Sequence, residues 1–337
     1  MRLKTRWILR LFAVALVLPV LSFGWWASRP MAMRHAPLEV SVRTGSGART
    51  AAQRLRAQGL ELSPELFALL ARLSGQATRL QAGNYEIEAG TSPWQLLQRM
   101  ARGGGKLLSL TVPEGWTYAE LLDALQHAPG LVDDARGLDD AQIMQSIGAP
   151  AGLAAEGWFF PDTYRYAPGS GALALLRRGY HAMQLQLQRD WVARAPGLPL
   201  RNPEQALTLA SMIERETARA QDRPQVAAVF INRLRAGMPL QSDPTVIYAL
   251  GARYDGHLHR SDMRIDSPYN TYLHAGLPPT PIALPGAASL HAALNPASSH
   301  ALYFVARSDG SSAFSTTLRE HDAAIDRYLL RDKGHTR

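Results

Sequence analysis

The sequence of 337 residues contains no cysteine. Disulfide bonds, thiolate nucleophiles and cysteine-ligated metal sites are therefore excluded, and a periplasmic location is compatible with this composition without being required by it. The sequence also lacks a Gly-X-Ser-X-Gly nucleophile elbow, which leaves hydrolysis by a serine nucleophile as a distant alternative. No internal repeat of fixed period is present, so a solenoid or propeller is not expected.

Acidic charge is scarcer than basic charge, with 28 Asp and Glu residues against 36 Lys and Arg and a net charge of +8. Four of the positive charges lie within the first ten residues, and the others are scattered arginines without a nucleic-acid motif or interleaved aromatic residues. We therefore expect no nucleic acid as a partner. A basic ectodomain beside an anionic membrane or wall polymer is the more economical interpretation.

An apolar segment at residues 7–27 follows a basic tail at residues 1–6 and predicts a single transmembrane helix, because about 20 apolar residues cross a bilayer. Tryptophans near both of its ends are typical of membrane interfaces, and the positive flank predicts a cytoplasmic N-terminus. The expected location is the inner membrane, with the rest of the chain in the periplasm. A cleaved signal peptide is the alternative, but bulky residues stand where a signal peptidase requires small ones.

The rest of the chain predicts an α+β protein of two parts. Residues 38–105 predict a small module followed by a connecting helix, with a strand at 38–42, helices at 48–58 and 63–73, and a strand at 83–88. The glycine run at 103–105 suggests a hinge. Residues 106–337 then predict a larger mixed α+β domain.

Two acids end an otherwise apolar helix that we predict from Pro203 to Ala220, with Asn202 as its N-cap. Glu214 and Glu216 point to nearly opposite sides at about 100° per residue, so at most one of them can face a given cleft. A carboxylic acid held against apolar surface has a raised pKa and can donate a proton near neutrality. The alternative is a pair of solvated residues at a helix end, and periodicity alone does not choose between the two acids.

An aromatic segment at residues 156–166 contains Trp158 and ends in Tyr-Arg-Tyr. Its rings either pack a corner of the core, which is the safer expectation, or line a sugar-binding wall. Asp162 follows a proline and is expected to be a turn residue.

Polar residues then punctuate the second half of the chain. Asn232 lies among apolar helical residues and needs hydrogen-bond partners if it is buried. Gln241 and Ser242 precede a short helix that Asp243 is expected to cap. The proline-rich stretch from 267 to 286 predicts a long ordered loop, and such loops are usually functional. The histidines at 257 and 259 have only a weak metal-like spacing, so neither a metal nor a cofactor is expected.

Six segments, taken together and in this order, resemble the YceG-like family of endolytic murein transglycosylases. They are 157–163 (Gly-Trp-Phe-Phe-Pro-Asp-Thr), 209–217 (Leu-Ala-Ser-Met-Ile-Glu-Arg-Glu-Thr), 230–234 (Phe-Ile-Asn-Arg-Leu), 241–245 (Gln-Ser-Asp-Pro-Thr), 269–272 (Tyr-Asn-Thr-Tyr) and 276–279 (Gly-Leu-Pro-Pro). The likeness runs from the predicted anchor to the last helix, which makes it far more specific than any single motif.

The resemblance implies that Glu216, the second glutamate of the family's Glu-X-Glu motif, is catalytic, and that Glu214 is supporting or solvent-facing. It also implies a LysM-like module at about residues 38–88. The implied activity is cleavage within peptidoglycan glycan strands, beside the membrane-bound penicillin-binding proteins that polymerise them, with termination of strand elongation as its expected result.

A lytic transglycosylase needs a single carboxyl group that acts first as acid and then as base, and it leaves 1,6-anhydro-MurNAc ends without consuming water. We expect Glu216 to lie in a groove walled by the 156–166 aromatics and the 241–245 and 267–281 loops. The candidate sugar contacts are Gln241, Ser242, Tyr269, Asn270, Trp158 and Asp162, with Glu214, Asp243 and Asn232 in supporting positions.

Two alternatives remain open at this point. One is a two-carboxylate glycoside hydrolase that pairs Glu216 with Asp243 or Asp162. The other is a non-catalytic wall-binding scaffold that tethers a peptidoglycan synthase to the membrane.

Overall fold

The computed structural model describes residues 17–33, 38–43, 45–103 and 107–330. The chain is helical over 17–28, but residues 7–16 of the predicted membrane helix and residues 104–105 of the predicted hinge lie outside the described ranges. Within the described ranges, no helix combines the length and the apolar character needed to cross a membrane.

The chain divides into two compact units, and the mixed α+β class is observed. The larger unit contains the segment 173–337 and every acidic candidate. Two short segments beyond residue 110 also belong to the smaller unit, whose ranges are Met1–Leu110, His127–Asp134 and Arg165–Ala172. The larger unit comprises Thr111–Gln126, Ala135–Tyr164 and Leu173–Arg337.

The smaller unit has the predicted order of strand, helix, helix and strand. The two strands pair antiparallel with Leu38 opposite Ile87, and alternate residues of the first strand are buried. Ser92 and Gln95 form a capping box at the start of the connecting helix, which ends at Gly103 in the left-handed conformation. The elements are β1 (Leu38–Val42), α1 (Ala48–Ala57), α2 (Pro64–Leu73), β2 (Gly83–Ile87) and α3 (Pro93–Arg102).

The remaining elements are mostly helices. Two further strand pairs are present among the described residues, β3 (Leu108–Thr111) with β4 (Thr163–Tyr166), and β5 (Tyr303–Ala306) antiparallel to β6 (Ser312–Ser315). The helices are α4 (Tyr118–His127), α5 (Asp140–Ser146), α6 (Ala172–Val192), α7 (Pro203–Glu216), α8 (Arg223–Arg235), α9 (Asp243–Leu250), α10 (Ala287–Leu294) and α11 (Leu318–Ile325).

Helix α7 is the helix around which the larger unit packs. Its N-cap Asn202 accepts a hydrogen bond from the Gln205 backbone N–H at 2.9 Å, as predicted. Every residue from Ala206 to Ile213 is buried, against α8, α9 and α10. The helix ends at Glu216 instead of Ala220, because Thr217 is extended and its hydroxyl accepts a hydrogen bond from the Arg219 N–H. The fully buried part of α7 therefore ends at Ile213, and both acids follow it in the last turn of the helix.

Candidate active site

Glu216 is the last residue of α7, and its carboxyl group is only partly exposed. Burial raises the pKa of Glu216 to about 7. The hydrogen bond from Ser242 and the charge of Arg233 lower this pKa, and the charge of Asp243 raises it. The Ser242 hydroxyl donates to Glu216 Oε2 at 2.9 Å. A carboxyl group with this pKa exchanges a proton near neutrality, as general acid–base catalysis requires.

A closed ring of hydrogen bonds holds Ser242 in place. The Ser242 N–H donates to Thr271 Oγ1 at 3.0 Å, and Thr245 Oγ1 donates back to the Ser242 carbonyl at 2.6 Å. The two threonine hydroxyls are 2.9 Å apart, which closes the ring when Thr271 donates to Thr245. Because its backbone is fixed on both sides, the Ser242 side chain keeps its direction towards Glu216.

Gln241, beside Ser242, adopts an uncommon backbone conformation. Its φ of 52° is the only positive φ among the described non-glycine residues, and such strain is typical of functional sites. The Gln241 N–H donates to the Thr271 carbonyl at 3.1 Å, and its side-chain oxygen accepts from Arg233 at 3.2 Å. Gln241 therefore shapes the loop that presents Ser242.

Asp243 does not cap α9, contrary to the prediction. The helix begins at Asp243 itself, and the preceding Ser242 occupies the cap position without a side-chain cap bond, because its hydroxyl is directed to Glu216. The carboxylate of Asp243 instead accepts a hydrogen bond from the Tyr272 hydroxyl. The negative charge of Asp243 raises the pKa of Glu216, so the site contains two carboxyl groups that interact.

Arg233, which sequence reasoning missed, is a buried cation behind the site. Its guanidinium donates to the carbonyls of Leu302 at 2.7 Å and Leu240 at 2.9 Å, and it lies 5.1 Å from the Tyr303 ring. Burial lowers the pKa of Arg233. An arginine amid the apolar residues of α8 was the available signal, since a buried charge requires several partners.

Asn232, the neighbour of Arg233, holds a loop. Its amide donates to the carbonyls of Ser299 at 2.8 Å and Ala301 at 3.0 Å. It supports the fold beside the site and makes no described hydrogen bond to Glu216.

Glu214 points away from Glu216 into a different set of contacts. Its side chain is only 5% exposed, so it is not solvent-facing. The Arg223 guanidinium donates to its Oε1 at 2.8 Å, and the Gly286 N–H donates to its Oε2 at 2.9 Å. This carboxylate is committed to an ion pair and ties α7 to α8 and to the end of the proline-rich loop.

Three of the proposed sugar contacts have structural roles. Asn270 is fully buried, and its amide donates to the carbonyls of Met263 and Ile265. Trp158 is buried with its ring centroid 5.9 Å from that of Tyr180, so the core-packing interpretation describes this ring. Asp162 is exposed and accepts a hydrogen bond from its neighbour's N–H, as a turn residue does. No described hydrogen bond or ring contact joins any of the three to Glu216.

A further buried carboxyl group, Glu156, was also missed by sequence reasoning. It accepts hydrogen bonds from the Tyr118 N–H at 3.0 Å and the Tyr248 hydroxyl at 3.3 Å. Burial raises the pKa of Glu156 to about 7, although these hydrogen bonds oppose the shift. Tyr269 packs against the tyrosine that donates to Glu156, since its ring centroid is 4.9 Å from that of Tyr248. An acid immediately before Gly-Trp-Phe-Phe was the available signal.

The two histidines are exposed surface residues. His259 Nε2 lies 3.3 Å from Asp255 Oδ2, and the His257 N–H donates to the same aspartate. Across the described ranges, no group of three or more His, Asp or Glu side chains has the geometry to hold a metal ion.

A partly buried carboxyl group with a raised pKa, held by a serine hydroxyl at a helix end, is the arrangement that general acid–base catalysis requires. The chain belongs to the YceG-like family, whose model matches residues 40–327.

Curated relatives and a solved structure agree with this membership. The endolytic murein transglycosylase of Bacillus subtilis is 30% identical over 315 residues, which cover 87% of this chain and 85% of that protein. The protein of the same name from Streptococcus pneumoniae is 27% identical over 86% of this chain, and the match spans 58% of that protein's length. The crystal structure of a YceG-like protein from Listeria monocytogenes superposes with a TM-score of 0.51 at 27% identity, covering 85% of this chain and 97% of that one.

Proposed function

We propose that the chain is an endolytic lytic transglycosylase, a lyase that cleaves within the glycan strands of peptidoglycan. The observation that carries the proposal is the directed hydrogen bond from Ser242 to Glu216, a carboxyl group at the end of α7 whose pKa burial raises to about 7. The names of the curated relatives, endolytic murein transglycosylases, support the substrate and the reaction.

The proposed reaction needs one group that acts twice. Protonated Glu216 donates its proton to the glycosidic oxygen, and the bond from that oxygen to C1 of the muramoyl residue breaks. The C6 hydroxyl of the same residue then closes on C1, and the Glu216 carboxylate accepts its proton. The product is a 1,6-anhydro ring, no water is consumed, and the enzyme returns to its starting protonation state. Asp243 supplies negative charge beside the developing positive charge at C1.

The two-carboxylate hydrolase is the second candidate, because Asp243 acts electrostatically on Glu216. In such an enzyme the second carboxylate activates water or forms a covalent intermediate. Mass spectrometry of the products separates the two reactions, since an anhydro end is lighter than a reducing end by one water. Asp162, the other acid considered, is exposed and held in a turn.

The decisive experiment is the substitution Glu216→Gln. The amide can still accept the Ser242 hydrogen bond but cannot donate an acidic proton, so the variant should fold normally and leave defined glycan strands uncut. Retained cleavage would move the chemistry to another residue. Binding of strands by the wild-type protein without any shortening would instead favour the wall-binding scaffold.

The location and partners belong to the same proposal. We infer an inner-membrane anchor at residues 7–27, a periplasmic catalytic domain, a LysM-like module at about residues 38–88, and association with membrane-bound penicillin-binding proteins. In support of the anchor, the helical residues 17–28 expose large apolar side chains, namely Val17, Leu18, Val20, Leu21 and Trp25. Deletion of residues 1–27 should release the protein from the membrane fraction.

A further inference from the structure

A cavity of about 700 Å³ lies beside Glu156 in the larger unit. Helix α5 and residues 149–156 form one side of it, and Tyr118, Tyr248 and Tyr269 contribute to the rest. Its volume is within the range of pockets that hold small ligands. The roles assigned to Glu216 and Ser242 do not involve it.

The Tyr118 side chain is an unsatisfied polar group at this cavity. Tyr118 is 6% exposed and its ring stacks on Phe159, with centroids 5.3 Å apart. Within the described part of the chain its buried hydroxyl has no hydrogen-bond partner. Burial, with the charges of Asp140 and Glu156, raises the pKa of Tyr118, so the hydroxyl stays a neutral donor near these two lining residues. The hydroxyl has an accessible area below 1 Å², so an acceptor on a ligand reaches it when neighbouring side chains shift on binding. A buried donor that gains a partner in this way is stabilised.

Two further tyrosines present both ring surface and hydroxyls. The rings of Tyr248 and Tyr269 are partly exposed and inclined at 56° to each other. The Tyr269 hydroxyl lies 2.8 Å from Thr280 Oγ1, and the Tyr248 hydroxyl donates to Glu156. Aromatic faces beside fixed hydroxyl and carboxyl groups suit the alternating apolar faces and hydroxyl edges of a pyranose ring.

The charge of the lining restricts the ligand. Asp139, Asp140 and Glu156 line the cavity, and the lining residues that the structure describes include no Lys, Arg or His. A ligand that carries a carboxylate would be repelled. Burial also disfavours the charged form of Glu156, so a neutral ligand fits better than a cation that needs a full negative charge opposite it.

We propose that this cavity binds a neutral pyranose residue of the glycan strand, at a position separate from the bond that is cleaved. The inference rests on the proposed function. Helix α9 connects the two places, because Asp243 at its start acts on Glu216 and Tyr248 lines the cavity. These residues are five positions apart, which is a rise of about 7.5 Å along a helix. A strand held at both places would be fixed in register against the catalytic acid.

The test measures binding of the neutral N-acetylglucosamine tetramer to the full-length Glu216→Gln protein by calorimetry. Adding Tyr118→Phe removes only the unsatisfied hydroxyl, and we expect an affinity about 3- to 10-fold weaker, the loss of one hydrogen bond. The same variant should have a melting temperature equal to or above that of its parent, because the unsatisfied group is gone. Tyr269→Ala removes a ring face and should weaken binding as well.

Tyr180→Phe is the matched control, since it removes a hydroxyl that accepts a hydrogen bond from Gln184 and does not line the cavity. Its affinity for the tetramer should equal that of the parent. Unchanged affinity in both Tyr118→Phe and Tyr269→Ala would overturn the inference. The inference would also be overturned if these two variants bound a stem peptide that carries amino groups more weakly than the parent does but bound the tetramer equally well.

Cleavage assays separate a failure of this inference from a failure of the proposed function. If the protein with Glu216 intact does not shorten glycan strands, the proposed function fails. If it does shorten them, Tyr118→Phe should raise KM about 3- to 10-fold. An unchanged KM together with unchanged tetramer binding would refute the cavity site and leave the transglycosylase assignment in place.

Discussion

The Ser242 hydroxyl donates a hydrogen bond of 2.9 Å to Glu216 Oε2, across 26 positions of sequence. This contact opposes the effect of burial on the carboxyl group, so the pKa of Glu216 is a balance between a desolvated site and one directed donor. Removing this hydroxyl should therefore change the acidity of Glu216 without altering the acid itself.

Ser242→Ala should raise the pKa of Glu216 further, because the hydrogen bond that lowers it is lost. A hydrogen bond to a charged group contributes about 1.5 kcal/mol or more, so we expect the alkaline limb of the pH–rate profile for strand cleavage to move up by about one pH unit. Ser261→Ala, in an exposed turn, is the control and should leave the profile where it is. An alkaline limb that moves down in Ser242→Ala would contradict this account.

Glu156 should make the protein less stable as the pH rises. Its pKa is about 7 in the folded protein and near 4.5 in the unfolded chain, so the folded state binds more protons between these values. The stabilisation is present below about pH 4.5 and is lost as the pH rises through about 7, which amounts to roughly 3 kcal/mol for a shift of this size.

Glu156→Gln should remove this dependence while keeping an acceptor for Tyr118 and Tyr248. Denaturant unfolding at pH 5 and pH 8 gives the comparison, and the free energy of unfolding of the variant should fall less between the two pH values than that of the wild type. Glu204→Gln, on the exposed first turn of α7, is the control and should fall as the wild type does. Equal falls in Glu156→Gln and wild type would show that this carboxyl group does not titrate as described.

Glu214→Ala should destabilise the protein by about 3 to 5 kcal/mol, because it leaves the Arg223 guanidinium without its nearer carboxylate. Glu114, at 3.6 Å, would remain as a more distant partner. Thermal unfolding measures the effect, and Glu216→Gln is the comparison: it should unfold close to the wild-type temperature yet lose activity. If Glu214→Ala instead kept wild-type stability and lost activity, Glu214 would be the catalytic residue.

Gly157→Ala should be more damaging than a substitution at another glycine of the same conformation. A Cβ at Gly157 would lie 2.4 Å from the Cβ of Pro281, where the aromatic segment meets the proline-rich loop. Gly152→Ala is the matched control, since Gly152 has a similar positive φ of 80° against 84° but nothing within 4 Å of an added Cβ. Both variants strain the backbone, and only the first adds an overpacked contact of about 1 to 3 kcal/mol. Equal losses of stability would show that Pro281 can move aside.

Local patterns predicted the elements of the smaller unit and the start of α7. Asn202 followed by proline correctly marked the start of α7, and the alternation of apolar and polar residues at 38–42 correctly marked β1. These signals act over a few residues, through caps and side-chain periodicity, so they can be read without knowledge of distant contacts. The end of α7 was misplaced because Thr217 turns the chain through its own side chain, which composition does not reveal.

The partners of the carboxyl groups could not be predicted in the same way, because they come from distant parts of the chain. The sequence alone determined that Glu214 and Glu216 point to opposite sides of one helix, since that follows from helical geometry. Only the tertiary structure decided that Glu214 is paired, because its partner Gly286 is 72 residues away. The same holds for Glu156, whose partner Tyr248 is 92 residues away. Burial and hydrogen bonding set the pKa of a carboxyl group, and both come from residues that only folding brings together.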